Sequence, residues 1–184
     1  SSPIHKRGEF SLRRIGKLKG GMCHPFNCRL LCCRFWCILS VLVPCTIIMA
    51  IVAVVDSGIL VDHVDFQGKL WVNEGEIPGN GVDDDGNGIV DDVNGFDAIT
   101  FQGIGQVNDP NGHGTHVAGI VSQTSPNAEI MGVRFLGANG GGSLADAINA
   151  WSYSLIMGAK VINNSWGFRG NLPSQLQDII DICL

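Results

Sequence analysis

The sequence predicts an α/β fold with a mainly parallel sheet. Residues 130–136 and 160–167 are strand-like, and the segment 143–159 between them is helix-like with one apolar face. A strand, a helix and a second strand in this order form a β-α-β unit, which implies parallel strands with helices on the faces of the sheet. Sites in such sheets collect at the carboxyl ends of the strands, so we expect the functional residues there.

A further strand is predicted at residues 51–55, an apolar and β-branched run that is followed at once by an Asp-Ser-Gly turn beginning at Asp56. This run is also the end of residues 35–55, an uncharged stretch long enough for a membrane span. The two interpretations conflict, because in lipid Asp56 would lie at the membrane interface. We favour the strand, which leaves residues 35–50 as an apolar segment of the signal or anchor type.

The helix predicted at 143–159 has recognisable ends. Ser143 and Asp146 have the spacing of a capping box, and Gly158 suits the carboxyl end of a helix. Apolar residues at helical spacing predict its buried face, which comprises Leu144, Ala147, Ile148, Trp151 and Leu155.

Charge divides the 184-residue chain, whose net charge is −5, into two parts. Residues 1–34 hold eight Lys and Arg against one acid, whereas residues 35–184 hold four against sixteen acids. Six of the seven cysteines lie between positions 23 and 45 at spacings that fit no zinc site, so free or lipidated thiols are favoured. Residues 1–34 lack periodic apolar residues and interleaved aromatics, which predicts a disordered segment and no nucleic-acid partner.

Two residues near the predicted sheet edge have the chemistry of a catalytic pair. Asp56 ends the first strand, and His113 begins a helix predicted at 114–121. A histidine can take the proton of a hydroxyl nucleophile, while a buried carboxylate fixes its tautomer and stabilises the imidazolium. Glycines on both sides of His113 would let the backbone and a substrate approach closely. The residue types alone fit a capping aspartate and a structural histidine equally well.

Three segments resemble motifs of the subtilisin-like serine peptidases. "VAVVDSGI" at 52–59 and "GHGTHVAGIV" at 112–121 resemble the aspartate and histidine motifs of that family, and "VINNSWG" at 161–167 resembles its third shared segment. The resemblance implies a three-layer fold around a mainly parallel, seven-stranded sheet, which would be incomplete in this chain. Residues 51–184 would then be the amino-terminal part of the peptidase domain.

The resemblance also implies roles in the hydrolysis of polypeptides by an endopeptidase. Asp56 would orient the histidine, and His113 would be the general base. One wall of the primary specificity pocket and the loop 137–143 would bind the peptide, the loop by pairing with an extended chain. The implied substrate-binding residues are Gly140, Gly141, Gly142, Ser165, Trp166 and Gly167.

The nucleophile of the family lies in a Gly-Thr-Ser motif that is not found in these 184 residues. We expect an incomplete gene product that is inactive alone, and the alternative is a catalytically inactive remnant or a calcium-binding pseudo-peptidase. A zinc hydrolase using His113 and His116 is a weaker alternative, since no glutamate or third ligand accompanies them. The family and the apolar segment predict a secreted or extracellular protein, with membrane contact through residues 35–50.

The acidic stretch 79–97, "GNGVDDDGNGIVDDVNGFD", resembles a calcium-binding loop. Hard oxygen donors at alternate positions can surround one cation, with Gly88 making the bend. Asn94 stands where such loops usually have a bidentate glutamate, so a flexible acidic loop is the alternative. The predicted ligands of a structural calcium ion are Asp83, Asp85, Asn87, Ile89 through its backbone carbonyl, and Asp91.

Overall fold

The computed structural model describes residues 49–105 and 109–167, together with Ser174, Gln177, Asp178 and Asp181. The predictions for residues 1–34, and for all but the end of 35–50, lie outside these residues. In the described part the strands are β1 (Ala50–Asp56), β2 (Gly95–Asp97), β3 (Gln102–Gly103), β4 (Ala128–Arg134) and β5 (Val161–Asn163), and the helices are α1 (His113–Thr124) and α2 (Leu144–Ile156). None of the described helices is long and apolar enough to cross a membrane.

The strands form one sheet in the order β3-β2-β4-β1-β5, with β1 between β4 and β5. β1 is parallel to both neighbours, and its pairing with β4 runs from Ala50 opposite Ala128 to Asp56 opposite Arg134. β2 is parallel to β4, and only β3 is antiparallel to its neighbour. The mainly parallel sheet is therefore confirmed, and residues 51–55 are one of its inner strands.

The two helices cover opposite faces of the sheet. Alternate residues of β1 point to opposite faces, as in any strand. Ala53 and Val55 pack in a cluster that includes Trp151 of α2, whereas Val54 packs in a second cluster with Val117 and Ala118 of α1. This arrangement gives the three layers that the resemblance implies, with apolar cores above and below the sheet.

The ends of α2 agree with the prediction, but its buried face is wider. Ser143 caps the helix by accepting a hydrogen bond from Asp146 N at 3.1 Å, and Gly158 follows the helix with a φ of 85°. Leu144, predicted to be buried, is 41% exposed, whereas Tyr153 is completely buried. The tyrosine can be buried because its hydroxyl donates to Asp92 in a loop that is distant in sequence.

Two strands end earlier than their apolar runs predict. β4 stops at Arg134 because Phe135 N and Leu136 N both donate to the single oxygen Asp56 O, at 2.9 and 3.2 Å. β5 stops at Asn163. β1 lies between β4 and β5, so the β4-α2-β5 connection crosses over β1. The short strands β2 and β3 were missed, because two or three residues are too few to show a period.

Candidate active site

The last residue of β1 and the first residue of α1 meet at the carboxyl edge of the sheet. The Asp56 side chain is completely buried, and its Oδ1 lies 2.8 Å from Nδ1 of His113. The imidazole is 46% exposed. A carboxylate accepts hydrogen bonds, so this contact places the ring proton on Nδ1 and leaves the lone pair of Nε2 free.

The carboxylate of Asp56 is held on one side only. Its Oδ1 also accepts a hydrogen bond from Ser57 N at 2.7 Å. Among the described residues, the completely buried Oδ2 has no hydrogen-bond partner. The position of this carboxylate therefore depends on its backbone and on the two contacts of Oδ1.

The glycines around His113 have different structural reasons. Gly112 adopts a φ of 88°, in the left-handed region that favours glycine, and turns the chain into α1. Gly114 faces the segment after β1 so closely that an added Cβ would overlap the carbonyl oxygen of Gly58 and lie 3.2 Å from Cβ of Asp56. These glycines bring the histidine within hydrogen-bond distance of the aspartate.

Asp109 was not assigned a role from the sequence, although it lies four positions before His113. Its half-buried carboxylate accepts hydrogen bonds from Ser57 Oγ at 2.7 Å, Gly112 N at 2.8 Å and Thr115 N at 2.7 Å. An acid close before a glycine-rich helix start is a capping signal, which would have revealed part of this role.

Burial raises the pKa of Asp109, but hydrogen bonds from Thr115, Ser57 and the backbone outweigh burial and hold the pKa below its ordinary value of 3.8. The folded state therefore favours the charged form. This contribution to stability is present above the ordinary pKa and is lost as the pH falls through the lowered one.

The two predicted substrate-binding segments follow the strands on either side of β1. Residues 137–143 leave the end of β4, and residues 164–167 leave the end of β5, so both begin at the edge that holds Asp56. The first segment is an exposed turn closed by a hydrogen bond from Gly137 N to Gly141 O at 2.8 Å. Asn111 Nδ2 donates to Ala138 O at 2.9 Å and ties this turn to the start of α1.

In the second segment, Trp166 is partly buried, whereas the residues on both sides of it are exposed. The Trp166 indole N–H donates to Val55 O at 2.9 Å, and the ring meets Phe135 edge-on at a centroid distance of 4.7 Å. Ser165 and Gly167 are exposed. The indole thus packs partly into the core, and the backbone on both sides of it remains accessible.

Three carboxylates gather in the acidic loop. Ligand oxygens of Glu76, Asp83 and Asp85 lie within 4.8 Å of one another. Within the described part of the chain, none of the three has an ion pair with Lys or Arg. Hard oxygen donors with uncompensated negative charge fit a calcium ion. The sequence template missed Glu76 because it lies before the first position of the loop pattern.

The other predicted ligands have different contacts. Asp91 accepts hydrogen bonds from Gly79 N at 2.7 Å and Gly81 N at 3.1 Å, and its own backbone N–H donates to Glu76 Oε2 at 3.1 Å. The amide oxygen of Asn87 accepts from Ile89 N at 2.7 Å, and the Ile89 side chain is buried in the core. These contacts hold the shape of the loop, and the part of Asn87, the Ile89 carbonyl and Asp91 in binding calcium stays a prediction.

Asp92 joins the acidic loop to the sheet and helices. Its buried carboxylate accepts from the Tyr153 hydroxyl at 2.7 Å, from Asn73 Nδ2 at 2.8 Å and from Asn87 Nδ2 at 2.9 Å. Burial raises the pKa of Asp92, and these three hydrogen bonds oppose the rise. The loop is thus anchored to α2 through one buried polar cluster.

Comparison with known proteins identifies relatives of this chain. The model of the subtilase family matches residues 49–182. A thermophilic serine proteinase of Bacillus sp. (strain AK1) is 35% identical over 127 residues, which are 63% of this chain and 25% of that protein. Thermitase of Thermoactinomyces vulgaris is 31% identical over 131 residues, which are 63% of this chain and 37% of that protein.

The fold has solved counterparts as well. The crystal structure of a cold adapted subtilisin-like serine proteinase superposes with a TM-score of 0.51 at 26% identity, over 73% of this chain and 42% of that one. The chain thus spans between a quarter and about two fifths of the length of these relatives. The family match covers most of the chain and includes the described strands, both helices and the Asp56–His113 pair. This chain belongs to the subtilase family.

Proposed function

We propose that this chain supplies the orienting aspartate and the general base of a serine endopeptidase. The observation that supports this most strongly is the 2.8 Å contact between the buried Asp56 carboxylate and Nδ1 of the half-exposed His113. A relative of the chain is named a serine proteinase. A ring bound to the carboxylate through Nδ1 has its Nε2 lone pair available for proton transfer.

In the proposed reaction, Nε2 of His113 takes the proton of a serine hydroxyl as the oxygen attacks the peptide carbonyl. Asp56 stabilises the imidazolium that forms, and the histidine then gives the proton to the leaving amine. The nucleophilic serine comes from outside these 184 residues. In this proposal, His113 therefore carries out the proton transfers, and Asp56 orients and stabilises it.

The proposed substrate is an extended polypeptide. The exposed backbone of Gly140, Gly141 and Gly142 would accept it on one side, and the backbone of Ser165 and Gly167 on the other. Main-chain hydrogen bonds give such strand addition its affinity. Glycines allow close approach because they have no side chain.

A fluorophosphonate, which labels activated serine hydroxyls, tests this function on the full gene product that includes this chain. We expect one serine outside residues 1–184 to be labelled and an unfolded protein substrate to be cleaved. His113→Ala should abolish labelling, whereas His116→Ala, at an exposed position of the same helix, should retain it. A folded product that neither reacts nor cleaves would instead be an inactive remnant.

We further propose that the acidic loop binds a structural calcium ion through Glu76, Asp83 and Asp85. The ion would supply positive charge that relieves the repulsion among these carboxylates. Glu76 Oε1 already accepts hydrogen bonds from Asp84 N at 2.9 Å and Asp85 N at 3.2 Å, so the loop is folded around this residue. Calcium would thereby stabilise the loop and would take no part in the chemistry.

Calcium at one hundred times its Kd is expected to raise the free energy of unfolding by about 2.7 kcal/mol, and EDTA should remove this gain. Thermal unfolding followed by circular dichroism measures the effect. Glu76→Gln should abolish the calcium-dependent shift. Asp91→Asn, in the same loop but outside the group of three, should lower the melting temperature and keep the shift. Equal shifts in both variants would reject this ligand set.

We propose an extracellular location for this protein. The predicted apolar segment of the signal or anchor type, residues 35–50, ends at the first residue of β1. Such a segment would either direct secretion or maintain contact with a membrane.

A further inference from the structure

The segment after β1 and the first turn of α1 are joined by a small network of hydrogen bonds centred on Asp109. Oδ1 of this residue accepts from Ser57 Oγ at 2.7 Å and from Gly112 N at 2.8 Å. Oδ2 accepts from Thr115 N at 2.7 Å and from Thr115 Oγ1 at 2.6 Å. One carboxylate thus binds the helix start and the strand end at once.

Both hydroxyls in the network also accept a hydrogen bond from the opposite segment. Gly114 N donates to Ser57 Oγ at 2.9 Å, and Leu60 N donates to Thr115 Oγ1 at 3.0 Å. Each hydroxyl therefore donates a hydrogen bond to Asp109 and accepts one from the opposite segment. Ser57 follows Asp56 directly and Gly114 follows His113 directly, so the network lies next to the pair in both segments.

The His113 ring has little other support. Its side chain is 46% exposed, so packing restricts it weakly, and its contact with Asp56 Oδ1 is a single hydrogen bond. A ring held this way keeps its contact only if its backbone stays at the right distance from the carboxylate. That distance is the distance between the start of α1 and the end of β1, which the network spans.

We propose that Asp109 is a positioning residue that, through the Ser57 hydroxyl, holds His113 in contact with Asp56. The proposal deepens the proposed function, because the positioned pair is the catalytic one only if the chain belongs to an active peptidase. Hydrogen bonding of the ring itself does not depend on catalysis, and it can be measured separately.

A simpler role for Asp109 is to cap α1 through Gly112 N and Thr115 N. A cap stabilises the start of a helix and involves only the helix. The Ser57 hydroxyl belongs to the other segment, so a cap does not require it. Ser57→Ala therefore separates the two roles, since it leaves the cap in place and removes the link.

A matched control exists at the other end of α1. Ser122 is also a buried serine, and its hydroxyl accepts from Lys69 Nζ at 2.7 Å and donates to Asp65 O at 3.2 Å. Ser122→Ala thus removes the same chemical group from another contact between α1 and a neighbouring segment. Both variants lose a buried hydroxyl, so a difference between them is not due to that loss in general.

The test is NMR of the ¹⁵N-labelled full gene product that includes this chain. It reports the Nδ1 proton of His113, its exchange with water and the ring tautomer. In the unchanged protein we expect one tautomer with a protected Nδ1 proton. In Ser57→Ala and in Asp109→Asn, the Nδ1 proton of His113 should exchange with water at least about tenfold faster. This is the effect expected when the hydrogen bond to Asp56 becomes longer or less well aligned and is therefore weaker. Ser122→Ala should leave the exchange unchanged.

Each outcome decides the proposal. If the Nδ1 proton in Ser57→Ala is as protected as in Ser122→Ala, Asp109 is only a helix cap and the proposal is wrong. If Asp109→Asn does not fold, Ser57→Ala alone makes the comparison, because its cap is intact. The readout needs no serine nucleophile, so an inactive protein with the expected proton exchange would reject the proposed function and retain this inference.

Discussion

Replacing Asp56 by Asn is expected to lower kcat about 10⁴-fold in the protein that contains the nucleophile as well as this chain. The carboxylate holds the ring proton on Nδ1 of His113 across 2.8 Å. Its negative charge stabilises the imidazolium that forms when Nε2 takes a proton. An amide has no charge to supply, so the loss should appear in kcat far more than in KM.

Neither orientation of the new amide restores the pair. With its oxygen at the Oδ1 position, its NH2 group occupies the buried Oδ2 position, which has no partner among the described residues. With the NH2 group at Oδ1, it faces the N–H of Ser57, which donates to that position. It would also donate to Nδ1 and move the ring proton to Nε2, where it blocks the general base.

Steady-state kinetics with a peptide substrate measures this effect. Asp62→Asn is the matched control, because it removes the same charge from an exposed position near the end of β1 and should leave kcat unchanged. Activity of Asp56→Asn within tenfold of the unchanged protein would show that this carboxylate does not orient the base.

Gly114→Ala is expected to destabilise the fold by about 3 kcal/mol, the upper part of the range for overpacking. The added methyl group would overlap the carbonyl oxygen of Gly58 and crowd Cβ of Asp56 at 3.2 Å. A backbone carbonyl in a packed segment cannot move aside as a flexible side chain can. Relief requires α1 to shift away from β1, which would also lengthen the contact between Asp56 and His113.

Gly119→Ala in the same helix is the control, and its expected sign is opposite. Within the described part of the chain, an added Cβ at Gly119 meets no atom within 4 Å. Alanine is favoured over glycine in a helix by about 1 kcal/mol, so this variant should be more stable than the unchanged protein. Urea unfolding of both variants gives the comparison, and similar free energies of unfolding would contradict the close approach at Gly114.

Local sequence patterns predicted the architecture and the pairing of Asp56 with His113. A buried strand is a short apolar and β-branched run, and the capping box of α2 needs only Ser143 and Asp146, so these elements can be predicted without knowing the rest of the fold. Parallel strands end at one edge, which brings Asp56 and His113 near each other once β1 and α1 are recognised. The resemblance to the family motifs then indicated a role for each.

Only the tertiary structure decided which other side chains join them. Ser57 and Asp109 are 52 positions apart, and Trp166 and Val55 are 111 apart. No short pattern marks such partners, since their proximity comes from β1 lying between β4 and β5 and from α1 packing on one face of the sheet.

The same holds for Glu76, which lies outside the calcium-loop template and meets Asp83 and Asp85 only because the loop folds around it. Hydrogen bonds and burial across the fold determine these positions, and periodicity within a segment contains no information about them.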